Sequence, residues 1–168
     1  MAVSRPPSIS RRVLLAAPLA ALPSAAFAAR GQVVTMLGDS ITAGYGLAAA
    51  DALPAQLHLA LERLGEANVV RAAGVSGDTS GDAARRVGFS VRPDTAVVVV
   101  ALGGNDILQG VDPKVTRANL DRILTRLKQR HMGVVLAGVA APPELGRGYA
   151  SDFEAVFRDL TAQVKANE

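Results

Sequence analysis

The sequence contains no cysteine, no tryptophan and only two histidines. Without cysteine it can form no disulfide and carries no N-terminal cysteine for lipid attachment. Aromatic residues make up 4% of its 168 residues, so a core has to be built from the short Ala, Val and Leu runs that dominate its apolar 49%. No apolar run reaches the roughly 20 residues needed by a membrane-spanning helix. An excess of positive charge is missing too, once the N-terminus is set apart. Arg5, Arg11 and Arg12 are the only charges in Met1 to Ala28, and removing them from the 18 basic residues leaves 15 against 15 acidic. A balanced chain has no general electrostatic footprint for nucleic acid.

What is present begins with an export signal. Met1 to Ala28 has a basic start without acids, an apolar segment from Val13 to Leu22 interrupted by Pro18, and small residues at Ala26-Phe27-Ala28, after which cleavage is expected. Ser10-Arg11-Arg12-Val13-Leu14 resembles a twin-arginine signal, and an ordinary secretory signal with two incidental arginines fits nearly as well. The remainder, 29–168, is long enough for one domain with a single core. It is expected to be soluble and exported, periplasmic or secreted, with no stable membrane anchor.

The rest alternates strands and helices. Val33 to Gly38 is an apolar run that stops at glycine, and Ile41 to Gly46 turns into a short helix. Leu53 to Leu64 sets Leu57, Leu61 and Leu64 on one helical face, with Pro54 in its first turn and Gly65 as its stop. Asn68 to Ala72 reads as a strand, followed by a glycine-rich turn in which Asp78, Thr79 or Ser80 can cap a helix from Gly81 to Val91. Thr95 to Leu102 is Val-rich without alternation, which predicts a central strand covered on both faces. Asp112 and Pro113 open a helix to about Arg130 with Val115, Leu120, Ile123, Leu124 and Leu127 as its stripe. Gly133 to Val139 is a fourth strand, Pro142 to Gly148 a loop, and Tyr149 to Val164 a helix with Phe153, Val156, Phe157 and Leu160 inward. This order implies an α/β fold with a parallel sheet, right-handed crossovers and helices on both faces.

Ligands of such folds bind outside the carboxyl ends of the strands, and three of the four expected strands end there in a glycine-plus-polar turn. Ser40 in the first turn is either a nucleophile at a helix N-terminus or a helix cap. Gly77 is either a plain turn residue or a backbone donor that a substrate can approach closely, and Asn105 is either a cap or an amide donor. Each alone is the commoner structural feature. If the three turns converge, the Ser40 hydroxyl faces backbone N–H groups of Ser40 and Gly77 and the Asn105 amide, which are the parts of an oxyanion hole for acyl transfer. Competing motifs are weaker. The Gly-Asp and Gly-Asn turns of a metallophosphatase need histidines beside them, so no metal and no cofactor is expected. Gly44-Tyr45-Gly46-Leu47-Ala48-Ala49 fits a dinucleotide pattern but starts past the strand end. Thr42 occupies the place of the second glycine of a nucleophile elbow.

Leu37-Gly38-Asp39-Ser40-Ile41-Thr42-Ala43-Gly44-Tyr45-Gly46, Gly74-Val75-Ser76-Gly77-Asp78-Thr79-Ser80 and Leu102-Gly103-Gly104-Asn105-Asp106, in that order, resemble the SGNH or GDSL hydrolases. Within that family they are similar to the branch of multifunctional thioesterases, lysophospholipases and arylesterases, from Val33 to about Leu160. The resemblance implies a three-layer α/β/α sandwich with a flavodoxin-like parallel sheet, and hydrolysis of small acyl esters or thioesters without a metal. It implies Ser40 as nucleophile through an acyl-enzyme, Gly77 and Asn105 as oxyanion donors, and a loop from Ala140 to Gly148 bordering the acyl pocket. The family completes its triad with an Asp-x-x-His block after a fifth strand and before a last helix. Glu168 is reached before such a block, and neither His58 nor His131 stands in one. The chain is therefore expected to lack its last strand, last helix and general base. The alternative is a catalytically impaired, truncated hydrolase acting at most as an acyl-binding protein. Val134 to Val139 would then be an apolar sheet edge.

Overall fold

The computed structural model describes residues 31–165, so the expected export signal at Met1 to Ala28 lies outside the described residues. Its centre is β1 (Val33–Gly38), in which every residue after Val33 is buried. β2 (Val69–Gly74), β3 (Val97–Ala101) and β4 (Gly133–Ala137) join it in a parallel sheet of order β2-β1-β3-β4. Parallel strands need long crossovers, and helices of the expected amphipathic kind supply them. α1 (Ser40–Ala43) and α2 (Leu53–Arg63) follow β1 and pack over β1 and β2. α3 (Ser80–Ser90), α5 (Pro113–Gln129) and α6 (Arg147–Lys165) pack on one another and form the second helical layer, with the sheet between.

The core lies between the sheet and this second layer. Leu37, Val98, Val100 and Leu102 are fully buried against Val87, Leu120, Ile123, Leu127 and Leu160. Phe153, Val156, Phe157 and Leu160 of α6 are buried as expected, with the Phe153 and Phe157 rings 5.6 Å apart. Beneath the core the hydroxyls of Thr35 and Thr95 satisfy each other at 2.8 Å.

Three expectations are corrected. β3 is interior but is covered fully on one face only: Val98 and Val100 are buried, whereas Val97, Val99 and Ala101 are half-buried. α1 and α2 make their sheet contacts with β1 and β2. Val115 leaves the α5 stripe and is 49% exposed, while Thr116 is buried in its place. The face that meets the core runs Thr116, Leu120, Ile123, Leu124 and Leu127, which follows the helical repeat of three to four residues more closely. Leu64, the cap of α2, is exposed. A short α4 (Gly104–Leu108), not anticipated, begins directly after the turn at Gly103, whose φ of 120° is open to glycine.

Candidate functional site

The chain leaves β1 toward β2 and leaves β3 toward β4, so the crevice at the carboxyl ends of β1 and β3 is the point where the winding reverses. The register puts the strand ends level there, with Gly38 opposite both Gly74 and Ala101. Ser40 follows β1 and Asn105 follows β3, so both border that crevice.

Glycine is required at two of these ends by space rather than by φ. A Cβ on Gly38 would lie 2.0 Å from Thr42 Oγ1 and 2.8 Å from the Ala101 carbonyl. One on Gly74 would lie 2.4 Å from the Ala43 nitrogen, because α1 rests directly on the end of β2. The capping question at Ser40 has a clear answer. Asp39 is the cap, accepting the Ile41 N–H at 3.0 Å, and Ser40 is the first residue of α1. Among the described residues the Ser40 hydroxyl makes no hydrogen bond.

The turn after β2 is fixed to β1 and β3. Val75 N–H donates to the Gly38 carbonyl at 3.1 Å, and Asp78 N–H donates back to Val75 at 3.2 Å. Gly77 lies between them with φ 89°, and nothing is within 4 Å of where its Cβ would be. Its glycine is thus both a left-handed turn residue and an open stretch of backbone. Asn105 Nδ2 donates one hydrogen to the Asp78 carbonyl at 2.9 Å, and an amide nitrogen retains a second. Of the three candidate caps of α3, Thr79 is the one used, in a reciprocal box with Asp82.

Two residues of this region carry polar networks that the sequence alone did not assign. Asp106, next to Asn105, is fully buried and accepts from the Ser80 backbone N–H at 2.7 Å, the Ser80 hydroxyl and the Thr116 hydroxyl. Arg86 donates from α3 to the ends of β1 and β2. Their partners are far away in sequence, so neither periodicity nor turn signals could have pointed to them. Burial pushes the Tyr149 phenol above its ordinary pKa, with Asp106 and Asp112 adding to the shift; the hydroxyl donates to the Val111 carbonyl at 3.0 Å.

Neither histidine is placed beside Ser40. His58 on α2 lies 3.1 Å from the Asn68 carbonyl, just before β2, and its other ring nitrogen is 3.3 Å from Glu62. His131 sits in the turn before β4 with φ 55°. Both are therefore at the amino ends of the strands. A cleft of about 540 Å³, lined by Leu124, Met132, Val134 and Val164 among others, also opens at that end. The loop Ala140 to Gly148 follows the carboxyl end of β4, on the same edge as Ser40, and contains a 3-10 turn at Pro143–Leu145. No group of three or more His, Asp or Glu side chains among the described residues is arranged to hold a metal. Gly44 serves as the left-handed C-cap of α1, a structural use of the first glycine of the dinucleotide-like pattern.

Comparison with known proteins agrees with this architecture. The esterase TesA of Pseudomonas aeruginosa is 35% identical over 138 residues, covering 82% of this chain and 69% of that protein. Thioesterase 1/protease 1/lysophospholipase L1 of Escherichia coli is 33% identical over 137 residues, covering 81% and 64%. The chain thus spans about two thirds of the length of these curated relatives. The crystal structure of AlinE4, an SGNH-hydrolase family esterase, superposes with a TM-score of 0.77 at 38% identity, covering 80% of this chain and 73% of that one. The fold is accordingly that of the SGNH hydrolases. With residues 36–167 matching it, the chain belongs to the GDSL-like lipase/acylhydrolase family.

Proposed function

We propose that this protein is a serine hydrolase of carboxylic esters or thioesters, acting through an acyl-enzyme on Ser40. Its relatives are an esterase and a thioesterase/lysophospholipase by name. The observation that carries the reading is the bond from Asn105 Nδ2 to the Asp78 carbonyl at 2.9 Å, which ties the Gly77 turn to the β3 turn at the sheet edge where Ser40 follows β1. In this reading Ser40 Oγ attacks the substrate carbonyl. The oxyanion that forms accepts from the N–H groups of Ser40 and Gly77 and from the second hydrogen of Asn105 Nδ2. The alcohol or thiol leaves, and water then releases the acid. No metal or cofactor takes part.

His58 and His131 stand at the amino ends of the strands, away from the edge that carries Ser40, and a second reading is that the described residues bind acyl groups without turning them over. In another serine hydrolase, loss of the histidine alone costs about 10⁶-fold in turnover. At about 1.4 kcal/mol per decade this is on the order of 8 kcal/mol of missing transition-state stabilisation.

Free imidazole separates the two readings. With the base supplied from solution, labelling by a fluorophosphonate, read by intact mass and peptide mapping, should accelerate at Ser40 and vanish in Ser40→Ala. Acceleration elsewhere in the chain, or equal ester hydrolysis by Ser40→Ala, would refute Ser40 as nucleophile. No labelling with retained binding of a fatty acid would support the acyl-binding reading instead.

We further read Met1 to Ala28 as an export signal, from its basic start, its apolar segment and the small residues at Ala26-Phe27-Ala28. N-terminal sequencing of exported protein should begin at Ala29.

A further inference from the structure

We propose that Arg86 is the positioning residue of this site, holding the Gly77 turn and the end of β1 in the arrangement that faces the Asn105 amide. The inference rests on the reading of Ser40, Gly77 and Asn105 as a hydrolytic centre. Two adjacent arginines on α3 make the contrast. Arg85 is 73% exposed and pairs with Asp82 on the surface, one turn away. Arg86 is only 19% exposed and spends its guanidinium on the strand ends. Its Nε donates to Asp78 Oδ2 at 2.5 Å. Nη1 donates to the Ala73 carbonyl and to Ser90 Oγ, and Nη2 to the Gly38 carbonyl, each at 2.9 Å.

Each contact constrains a different part of the site. The Gly38 carbonyl belongs to the residue two before Ser40 and also accepts Val75 N–H, so Arg86 reinforces the link between the β1 end and the start of the next turn. The Ala73 carbonyl is the last before Gly74, against which α1 is packed. Asp78 is the residue whose carbonyl accepts Asn105, and its carboxylate is 13% exposed against Arg86. The turn itself has no apolar anchor: Ser76 and Gly77 are exposed, with open space around Gly77. Hydrogen bonding through Asp78 is therefore what locates the Gly77 N–H. A planar guanidinium can donate in three directions at once, whereas an ammonium on a flexible stem cannot reproduce that fork.

The test uses Arg86→Lys, Arg86→Met and Asp78→Ala in the intact chain, with two readouts. In ¹H–¹⁵N spectra, the Gly77 amide and the Asn105 side-chain NH₂ signals should shift or broaden in every folded variant, while core amides such as Val98 and Leu120 stay in place. The imidazole-assisted phosphonylation rate of Ser40 should fall about tenfold or more, since misplacing an oxyanion donor forfeits part of the 10²–10³-fold that such a donor supplies. Wild-type Gly77 and Asn105 signals in a folded Arg86→Lys or Arg86→Met protein would overturn the proposal. Should both arginine variants fail to fold, Asp78→Ala decides, because it removes the acceptor of Arg86 Nε and leaves the bonds of Arg86 to Gly38, Ala73 and Ser90 intact. Movement of the two signals supports the assignment, and their constancy overturns it. Absence of Ser40 labelling in the wild type would count against the hydrolytic reading alone, since the spectra judge Arg86 without it.

Discussion

At Asp106 a carboxylate without solvent contact accepts two bonds from Ser80 and one from Thr116, and the Ser80 hydroxyl in turn accepts from Asn119 Nδ2 at 3.1 Å. The motif that contains it was legible in the sequence, but only as the neighbour of Asn105. Its partners stand on α3 and α5, so it joins the two helices that flank the β3 turn. Replacing it by alanine leaves three buried donors without an acceptor, each worth about 1–3 kcal/mol when unsatisfied. Asp106→Ala should therefore lower the unfolding free energy by about 3 kcal/mol in urea titrations, and Asp106→Asn, which keeps one acceptor oxygen, by less. A change under about 1 kcal/mol in the alanine variant would show that the network is not satisfied as described.

Helix α3 illustrates what an element owes to its ends. Thr79 Oγ1 accepts the Asp82 N–H at 3.3 Å, and the Asp82 carboxylate accepts from the Thr79 N–H at 2.9 Å and from its hydroxyl at 2.5 Å. The hydroxyl bond is the largest cause holding the Asp82 carboxyl below its ordinary pKa, with the backbone bond next. A depressed folded pKa means that the contribution is fully present above the ordinary carboxylate value near 3.9 and is lost as pH falls below it. Thr79→Ala should cost about 1 kcal/mol at neutral pH. Asp82→Asn should flatten the acid limb of the stability curve below about pH 4 in thermal melts. An acid limb identical to wild type would contradict the box. The sequence offered Asp78, Thr79 and Ser80 as equivalent caps; the choice fell to Thr79 because Asp78 is drawn to Arg86 and Ser80 to Asp106.

At the scale of the whole sheet, the two edges among the described residues differ. β2 carries Arg71, held by both oxygens of Asp94 at 2.9 and 3.0 Å, and a charge of this kind discourages further strand pairing. β4, Gly133–Ala137, has no charge or proline, and Val135 is 52% exposed. Val135→Lys should raise the protein concentration at which sedimentation or light scattering detects association. Association unaffected by the lysine would place the contact elsewhere.

The sequence by itself determined the alternation of strands and helices and the three turns in which Ser40, Gly77 and Asn105 stand. These follow from apolar periodicity and from glycines whose φ or lack of a side chain the backbone demands within a few residues. Tertiary structure alone decided that Asp39 rather than Ser40 caps α1, that one face of β3 is only half covered, and that Arg86 reaches Gly38 across 48 residues and Asp106 reaches Ser80 across 26. Such bonds depend on where the crossovers set each helix against the sheet, and a local pattern of residues carries no record of that distance.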